Sequence, residues 1–265
     1  PSLEQLVHAC LIRYPHCIDP HSLAPCAIET LMAAIGLQRR RQGEDPLQVE
    51  AFGFTPWKQP HLGLFLAGSR LRFRWSRSRP GRRLDAVAVW GRRGRPRLIK
   101  AAERRQLPVL HVEDGFLRSV GLGADLVAPI SWVVDPVGVY YDATAPSALE
   151  QRLSGGTWTS AELHRAARLR ERLVREAITK YNLEAAPWQR PAGDRRVVLV
   201  IGQVESDASI RYGAGSLRSN LGLLQAVRAA EPEAYLVYKP HPDVVAGLCR
   251  SGQGEDLVAD SCDEL

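Results

Sequence analysis

The sequence predicts an α/β protein with two Rossmann-like domains built on parallel sheets. Short, continuous apolar runs alternate with helical or loop segments, which is typical of strands that are buried on both faces of such a sheet. Near the carboxyl terminus the order strand, loop, helix, strand makes a βαβ unit with a right-handed crossover. Pro187 and Pro191 mark a linker between the two α/β regions.

Residues 1–50 are expected to form two helices and a tail that precede the first α/β domain. Apolar residues recur at helical spacing over Leu3–Leu11 and again over Ile28–Ile35. The polar run Arg39–Pro46 is interpreted as a linker.

Residues 51–192 are expected to form the first Rossmann-like domain. Its strand candidates are Ala86–Trp90, Val109–Val112 and Val127–Val134. A helix is expected to begin at Thr159, because Thr159 and Glu162 have the spacing of a capping box.

Residues 193–265 are expected to form the second Rossmann-like domain, which is incomplete. The predicted elements are a strand over Val197–Ile201, a helix over about Ser216–Ala230 and a strand over Ala234–Tyr238. Ligand sites in such sheets lie beyond the carboxyl ends of the strands, so candidate chemistry is sought there.

The composition excludes several classes of protein. Apolar residues make up 45% and charged residues 24% of 265 residues, which excludes a collagen, a disordered tail and a disulfide mini-protein. No apolar run is long enough to predict a membrane-spanning helix. Five cysteines without a CxxC pair favour a reduced, cytosolic setting. The chain starts at Pro1 and is expected to be a fragment.

The net charge of +6 is unevenly distributed. Residues 68–105 hold fourteen basic and two acidic residues, which gives this stretch a charge of +12 and leaves −6 for the rest. Such a stretch indicates an anionic partner: nucleic acid, a membrane surface or a phosphorylated substrate. The alternative is a solvated loop in an arginine-rich sequence.

The first polar cluster follows the strand at Val109–Val112. Glu113 and Asp114 leave this strand, and Arg118 comes four residues later. Carboxylates at a cleft can act as acid or base, because burial and like charge raise a pKa toward neutrality. The alternative is that Asp114 caps a helix beside a surface Glu–Arg pair.

The second cluster follows the strand Val197–Ile201 and contains Gln203, Glu205, Asp207 and Ser209. A carboxylate on such a loop can serve as the nucleophile in glycosyl chemistry. The alternative is that Asp207 or Ser209 merely caps a helix.

The third cluster contains Lys239, His241 and Pro242 at the end of the last predicted strand. Prolines on both sides of His241 stiffen the loop, and a stiff cationic pair suits a phosphate or nucleotide ligand. The alternative is a proline-rich turn with a surface histidine. The segment Ser131–Asp142 is interpreted as a hairpin or a strand and turn. Tyr140 and Tyr141 can both pack and offer hydroxyl groups there, and packing is the favoured interpretation.

Four long stretches together resemble the KpsC-type capsule polysaccharide biosynthesis proteins, which are retaining β-Kdo transferases. The matching stretches are Val112–Leu126, Pro129–Glu150, Ile201–Ile210 and Tyr238–Val244, in the same order and rough spacing. The resemblance covers residues 51–265. Residues 1–41 are similar to the helical end of a preceding transferase module in this family.

The resemblance implies a GT-B-like architecture, CMP-β-Kdo as donor and a lipid-linked Kdo oligosaccharide as acceptor. It implies transfer with retained configuration in the 2,7-linking module. The sequence contains no clustered set of metal-ligating residues, so we expect no metal and no other cofactor. The resemblance further implies a cytoplasmic protein at the inner-membrane surface, beside other capsule assembly proteins.

The resemblance also implies residue roles. Asp207 matches the nucleophile, Glu113 is the candidate base, and His241 with Pro242 matches the motif that binds the CMP phosphate. Lys239, Gln203 and Ser209 are further candidates for donor binding. Asp114, Arg118 and Glu205 are candidate supporting residues, and Asp114 and Glu205 are rivals for the two carboxylate roles.

Two other functions are weighed against a transferase. A noncatalytic scaffold in capsule assembly is disfavoured by the set Glu113, Asp207 and His241 at strand ends. A nucleic-acid-binding module is disfavoured because residues 68–105 lack regular aromatic interleaving and match no nucleic-acid motif. The basic stretch is therefore expected to face an acidic, lipid-linked saccharide, with no nucleic acid as partner.

Overall fold

The structure is a computed structural model that describes residues 1–20, 23–44, 48–74, 80–91, 96–183, 188–250, 252, 254 and 257–265. For residues 40–44 and 96 the backbone alone is described. The linker residue Pro187 and the parts of the basic stretch at 75–79 and 92–95 lie outside the described residues.

Five strands form the first sheet, in the order β4-β3-β5-β6-β7. They are β3 (Gln48–Phe52), β4 (Arg70–Arg74), β5 (Ala86–Trp90), β6 (Val109–Asp114) and β7 (Trp132–Asp135). The pairs β3–β4, β3–β5 and β5–β6 are parallel, whereas β7 runs antiparallel to β6. The α/β fold class that the sequence predicts is confirmed.

Helices cover both faces of this sheet. Leu62 and Leu66, in and directly after α3 (Gln59–Phe65), are buried in the cluster that contains the side chains of Val49 and Val112. Leu98 and Ala102 of α4 (Pro96–Glu103) pack with Val87 and Val89 on the other face. Burial on both faces explains why the strand β5 reads as a continuous apolar run.

The second sheet contains β8 (Val197–Ile201) and β9 (Tyr235–Lys239), which are parallel. The chain between them forms α7 (Ala208–Gly213) and α8 (Asn220–Ala230), so the βαβ unit is confirmed. Its core contains the buried side chains of Val200, Leu224, Leu236, Tyr238 and Val258.

The remaining elements lie outside these two cores. They are α1 (Leu3–Val7) with a π-helical continuation His8–Arg13, the paired strands β1 (Cys17–Ile18) and β2 (Pro25–Cys26), α2 (Ile28–Glu44), α5 (Ala148–Gly155), α6 (Ser160–Arg175) and α9 (Pro242–Val245). The capping box at Thr159 and Glu162 is present as predicted. Within the described residues no helix is both long enough and apolar enough to cross a bilayer.

The predicted strand Val127–Val134 is wrong over most of its length. The strand is Trp132–Asp135, and residues 127–130 instead support a buried arginine. The Val127 carbonyl accepts a hydrogen bond from Arg118, and the Ile130 amide donates to the Arg118 carbonyl. The chain turns back without a crossover helix, which is why β7 is antiparallel.

Three predicted boundaries differ from the structure. The linker at Arg39–Pro46 is wrong, because α2 continues to Glu44 through good helix formers. The helix predicted from Ser216 begins at Asn220, where the Ser219 hydroxyl accepts a hydrogen bond from the Gly222 amide. The predicted boundary between residues 50 and 51 falls inside β3. The division into three parts is otherwise untested and stays a prediction.

Candidate active site

A cleft of about 840 Å³ lies where the carboxyl ends of the two sheets meet. Glu113 and Asp114, at the end of β6, line one wall. Asp207, which precedes α7, and His241, which follows β9, line the other wall. Residues from all three clusters that the sequence singles out therefore line one cleft, although their catalytic roles stay predictions.

Glu113 is a partly buried carboxyl group at the edge of this cleft. The Tyr141 hydroxyl donates a hydrogen bond to its Oε1 atom over 3.0 Å. Burial raises the pKa of Glu113, and the neighbouring Asp114 carboxylate adds to the increase, while Tyr141 and Lys58 oppose it. A carboxyl group held in this way is suited to proton transfer near neutral pH.

Gly91 provides the space that Glu113 occupies. It follows β5 with a φ of +53°, a left-handed backbone conformation that residues other than glycine rarely adopt. A Cβ atom at this position would collide with Glu113 Oε1 and would lie 2.9 Å from the Tyr141 hydroxyl. The end of β5 therefore has to be glycine for Glu113 and Tyr141 to meet.

Asp114 and Arg118 form a supporting ion pair beside Glu113. The Asp114 Oδ1 atom lies 3.0 Å from Arg118 Nε and accepts a hydrogen bond from the Trp132 indole over 3.1 Å. Arg118 is 1% exposed and also donates to the Ser119 hydroxyl. The alternative of a helix cap beside a surface pair is wrong, because Asp114 lies within β6 and Arg118 is buried.

Asp207 caps α7, as the structural alternative for this residue predicts. Its Oδ1 atom accepts a hydrogen bond from the Ser209 amide over 2.8 Å. The cap also holds the carboxylate at the cleft wall, beside Ser209 and Gln203. Capping and a role in the cleft are therefore compatible at this position.

Tyr140 lies in the cleft, near the carboxylates of both walls. Its hydroxyl donates a hydrogen bond to the Asp114 carbonyl over 3.3 Å. Burial raises the pKa of Tyr140 far above its usual range, and the charges of Glu113, Asp114 and Asp207 add to this increase. Tyr140 therefore stays protonated and remains a hydrogen-bond donor.

His241 is the N-cap of the short helix α9. Its Nδ1 atom accepts a hydrogen bond from the Asp243 amide over 3.1 Å, so the ring proton lies on Nε2. Burial lowers the pKa of His241, which Lys180 also lowers, against the opposing effects of Asp243 and Asp207. The expectation of a cationic histidine is therefore wrong: the ring is a neutral Nε2–H donor.

Three of the predicted site residues lie elsewhere. Lys239 is exposed at the end of β9, and Pro242 is the first residue of α9; the described cleft lining contains neither. Glu205 accepts a hydrogen bond from the Asn220 amide over 2.7 Å and so supports the start of α8. Its side chain lies outside the described cleft lining, and its candidacy for a carboxylate role stays a prediction.

Two further residues that line the cleft, Lys58 and Lys180, are not predicted from the sequence. The rarity of lysine is the sequence signal that singles them out, because only four of the 35 basic residues are lysines. The hydrogen bond from Tyr141 to Glu113 is also not predictable, because the two residues are far apart in the sequence. Among the described residues, no three His, Cys, Asp or Glu side chains lie close enough to hold a metal ion.

Comparisons with known proteins agree on one family. Residues 85–259 match the family described as capsule polysaccharide biosynthesis protein. The chain is 36% identical over 252 residues to the capsule polysaccharide modification protein LipA of Neisseria meningitidis, covering 93% of this chain and 36% of LipA. It is 35% identical over 232 residues to the lipopolysaccharide-processing protein LpsZ of Rhizobium meliloti, covering 83% of this chain and 53% of LpsZ. The chain thus spans about a third to a half of these relatives.

Two solved structures from Thermosulfurimonas dismutans are similar to this fold. The KpsC β-Kdo 2,4-transferase has a TM-score of 0.69 and 35% identity, covering 83% of this chain and 68% of its own. The KpsC β-Kdo 2,7-transferase has a TM-score of 0.57 and 33% identity, covering 82% and 66%. With a family match over more than half of its length, the chain belongs to the capsule polysaccharide biosynthesis protein family.

Proposed function

We propose that this protein is a retaining β-Kdo transferase of capsule synthesis, which moves Kdo from CMP-β-Kdo to a lipid-linked Kdo oligosaccharide. The similarity to two KpsC Kdo transferases supports this class of reaction. The observation that carries the proposal is the pairing of Glu113 and Asp207, two carboxyl groups in unlike surroundings, in one cleft between two sheets. Such a cleft suits the GT-B-like architecture that the sequence resemblance implies.

The first step is attack of Asp207 on the anomeric carbon of the donor. The Ser209 amide holds Oδ1, so Oδ2 is the attacking oxygen. A bond forms between Oδ2 and the anomeric carbon, the bond from that carbon to the phosphate oxygen breaks, and its electron pair leaves with CMP.

The second step transfers Kdo to the acceptor. Glu113 removes the proton from the acceptor hydroxyl, whose oxygen attacks the anomeric carbon and releases the Asp207 carboxylate. Each step inverts the configuration, so the two together retain it. The raised pKa of Glu113 makes it a stronger base than an exposed carboxylate.

Donor binding is assigned to the second wall of the cleft. The Nε2–H group of His241 and the ammonium group of Lys180 supply a hydrogen bond and a charge to the CMP phosphate, with Gln203 and Ser209 nearby. Lys180 replaces Lys239 as the lysine proposed to bind the donor, because Lys180 lines the cleft. Pro242 fixes the backbone after His241 and so keeps the ring oriented.

The leaving group is a stable phosphate, so positive charge and hydrogen-bond donors are sufficient to stabilise its departure. We therefore expect a reaction that needs no metal and no other cofactor. Transfer in the presence of excess EDTA is expected to equal transfer without it, and a loss that Mg²⁺ restores would contradict this expectation.

The resemblance implies a 2,7 linkage, whereas the higher TM-score belongs to the 2,4-transferase. Because a TM-score compares folds and not the position of the acceptor hydroxyl, the 2,7 linkage remains our expectation. Incubation of the full-length protein with CMP-Kdo and a synthetic Kdo glycoside tests the activity, and NMR of the product gives the linkage. Absence of any Kdo transfer would contradict the proposed function.

A further inference from the structure

The cleft wall that carries Glu113 has a second feature, which the transfer steps above do not use. Trp57, Lys58 and Trp90 line this wall, on the side of the first sheet. The Lys58 ammonium lies 3.1 Å from the centre of the Trp90 ring and 5.5 Å from that of Trp57. These three residues are called the Trp–Lys–Trp wall below.

The ring of Trp90 fixes the position of the lysine charge. A cation over the face of an indole is attracted by the ring, and the attraction is stronger where water is partly excluded. Lys58 is only partly exposed, and its charge helps to lower the pKa of Glu113. Lys58 thus places a positive charge at a fixed position near Glu113, the candidate base.

The indoles supply the other half of a sugar site. A saccharide ring has apolar C–H faces that pack on aromatic rings, while its charged groups need a partner of opposite sign. An ammonium group beside an indole therefore fits a sugar that carries a carboxylate. The acceptor hydroxyl has to reach Glu113, which restricts the sugar at this wall to the acceptor.

We propose that the Trp–Lys–Trp wall is the acceptor subsite, in which Lys58 binds the carboxylate of an acidic acceptor sugar and Trp57 packs against its ring. This inference rests on the proposed function, because it assigns the acceptor to the Glu113 wall. It makes Lys58 the residue that selects an acidic sugar over a neutral one.

The test compares two acceptors on the full-length protein: a methyl Kdo glycoside and the matching carboxamide, which has no charge. Binding is measured by calorimetry, and the KM values of acceptor and CMP-Kdo are measured separately. The wild type is expected to bind the acid about tenfold or more tightly than the carboxamide, as for a charged hydrogen bond in a partly buried site.

The variant Lys58→Met is expected to bind both compounds equally and to raise the acceptor KM while the KM for CMP-Kdo is unchanged. Lys58→Arg is expected to keep part of the preference for the acid. Arg165→Met, on the exposed helix α6, also removes one positive charge but lies outside the described cleft lining; it is the control and is expected to behave like the wild type.

Each contrary result has its own meaning. If the wild type does not distinguish acid from carboxamide, or if Lys58→Met weakens the binding of both by the same factor, the subsite is wrong. If the wild type prefers the acid but transfers no Kdo from CMP-Kdo, the proposed function fails while the acidic-sugar site stands.

Discussion

Glu113 owes its properties to a few neighbours that can be changed one at a time. Burial raises its pKa, while the hydroxyl of Tyr141 stabilises the ionised form through a hydrogen bond of 3.0 Å. Tyr141→Phe removes this bond and is expected to raise the pKa of Glu113 further. A base acts only when deprotonated, so the acidic limb of the rate profile is expected to move to higher pH.

The measurement is kcat/KM for Kdo transfer as a function of pH. Tyr235→Phe is the matched control, because the Tyr235 hydroxyl also donates to a carboxylate, Glu264, but lies outside the described cleft lining. An unchanged acidic limb in Tyr141→Phe would show that Glu113 is not the base.

His241 combines a structural role with a proposed binding role, and one substitution separates them. Asparagine is a good N-cap, so His241→Asn is expected to keep the cap of α9 while it removes the Nε2–H donor. The KM for CMP-Kdo is expected to rise about tenfold, as for one hydrogen bond to a charged group, with little change in Tm. An unchanged KM would contradict donor binding by His241.

The sequence reveals this site only in part, for reasons visible at single residues. Glu113 lies at the end of the apolar strand β6, and Asp207 and His241 lie on the loops after β8 and β9, so their position near strand ends can be predicted. Lys180 comes from the chain after α6, far from any strand end. Its place in the cleft depends on tertiary packing, and no local pattern signals it.

At the scale of elements, Asn220 ties the end of β8 to the start of α8. This residue is 5% exposed, and its side chain bonds both the amide and the carbonyl of Gln203, over 2.8 and 2.9 Å. Its own amide donates to Glu205. The network holds the loop on which Gln203 reaches the cleft.

Asn220→Ala leaves the backbone groups of Gln203 without these partners and is expected to lower the free energy of unfolding by about 2 kcal/mol. Gln225→Ala, an amide removed from the exposed face of the same helix, is expected to change it by less than about 0.5 kcal/mol. Urea denaturation measures both. Equal effects would mean that the network contributes nothing.

Elements with simple patterns are predictable here, and those that depend on context are not. The apolar run Ala86–Trp90 forms β5 with the predicted bounds. In β4 arginines alternate with apolar residues. The charge of these arginines hides the strand pattern, and β4 is therefore not predicted from the sequence. Its exposed arginines point to solvent while Leu71 and Phe73 pack on the core, as suits an edge strand that must avoid pairing with other chains.

At the scale of the whole molecule, part of the excess positive charge lies on the exposed side of β4. Arg70 and Arg72 are exposed on β4, whereas Arg74 pairs with the buried Glu50 over 3.0 Å. We expect this basic face to guide the protein to an anionic lipid surface, where a lipid-linked acceptor resides. Arg77, another arginine of the basic stretch 68–105, lies outside the described residues.

The double variant Arg70→Glu/Arg72→Glu is expected to bind vesicles of phosphatidylglycerol and phosphatidylethanolamine at least about tenfold more weakly at low salt. Arg165→Glu/Arg168→Glu, on the exposed helix α6, makes the same change in net charge and serves as control. Co-sedimentation gives both affinities. Equal losses would show that net charge acts and that the β4 face has no special role.

The central claim is that Kdo passes through a covalent bond to Asp207, and the most direct measurement is mass spectrometry of the protein after incubation with CMP-Kdo. The variant Glu113→Gln slows the second step, so one Kdo unit is expected to accumulate on the peptide that contains Asp207. Asp207→Asn, which preserves the cap of α7, is expected to carry none. Transfer without any adduct on Asp207, or an adduct on another residue, would contradict the account.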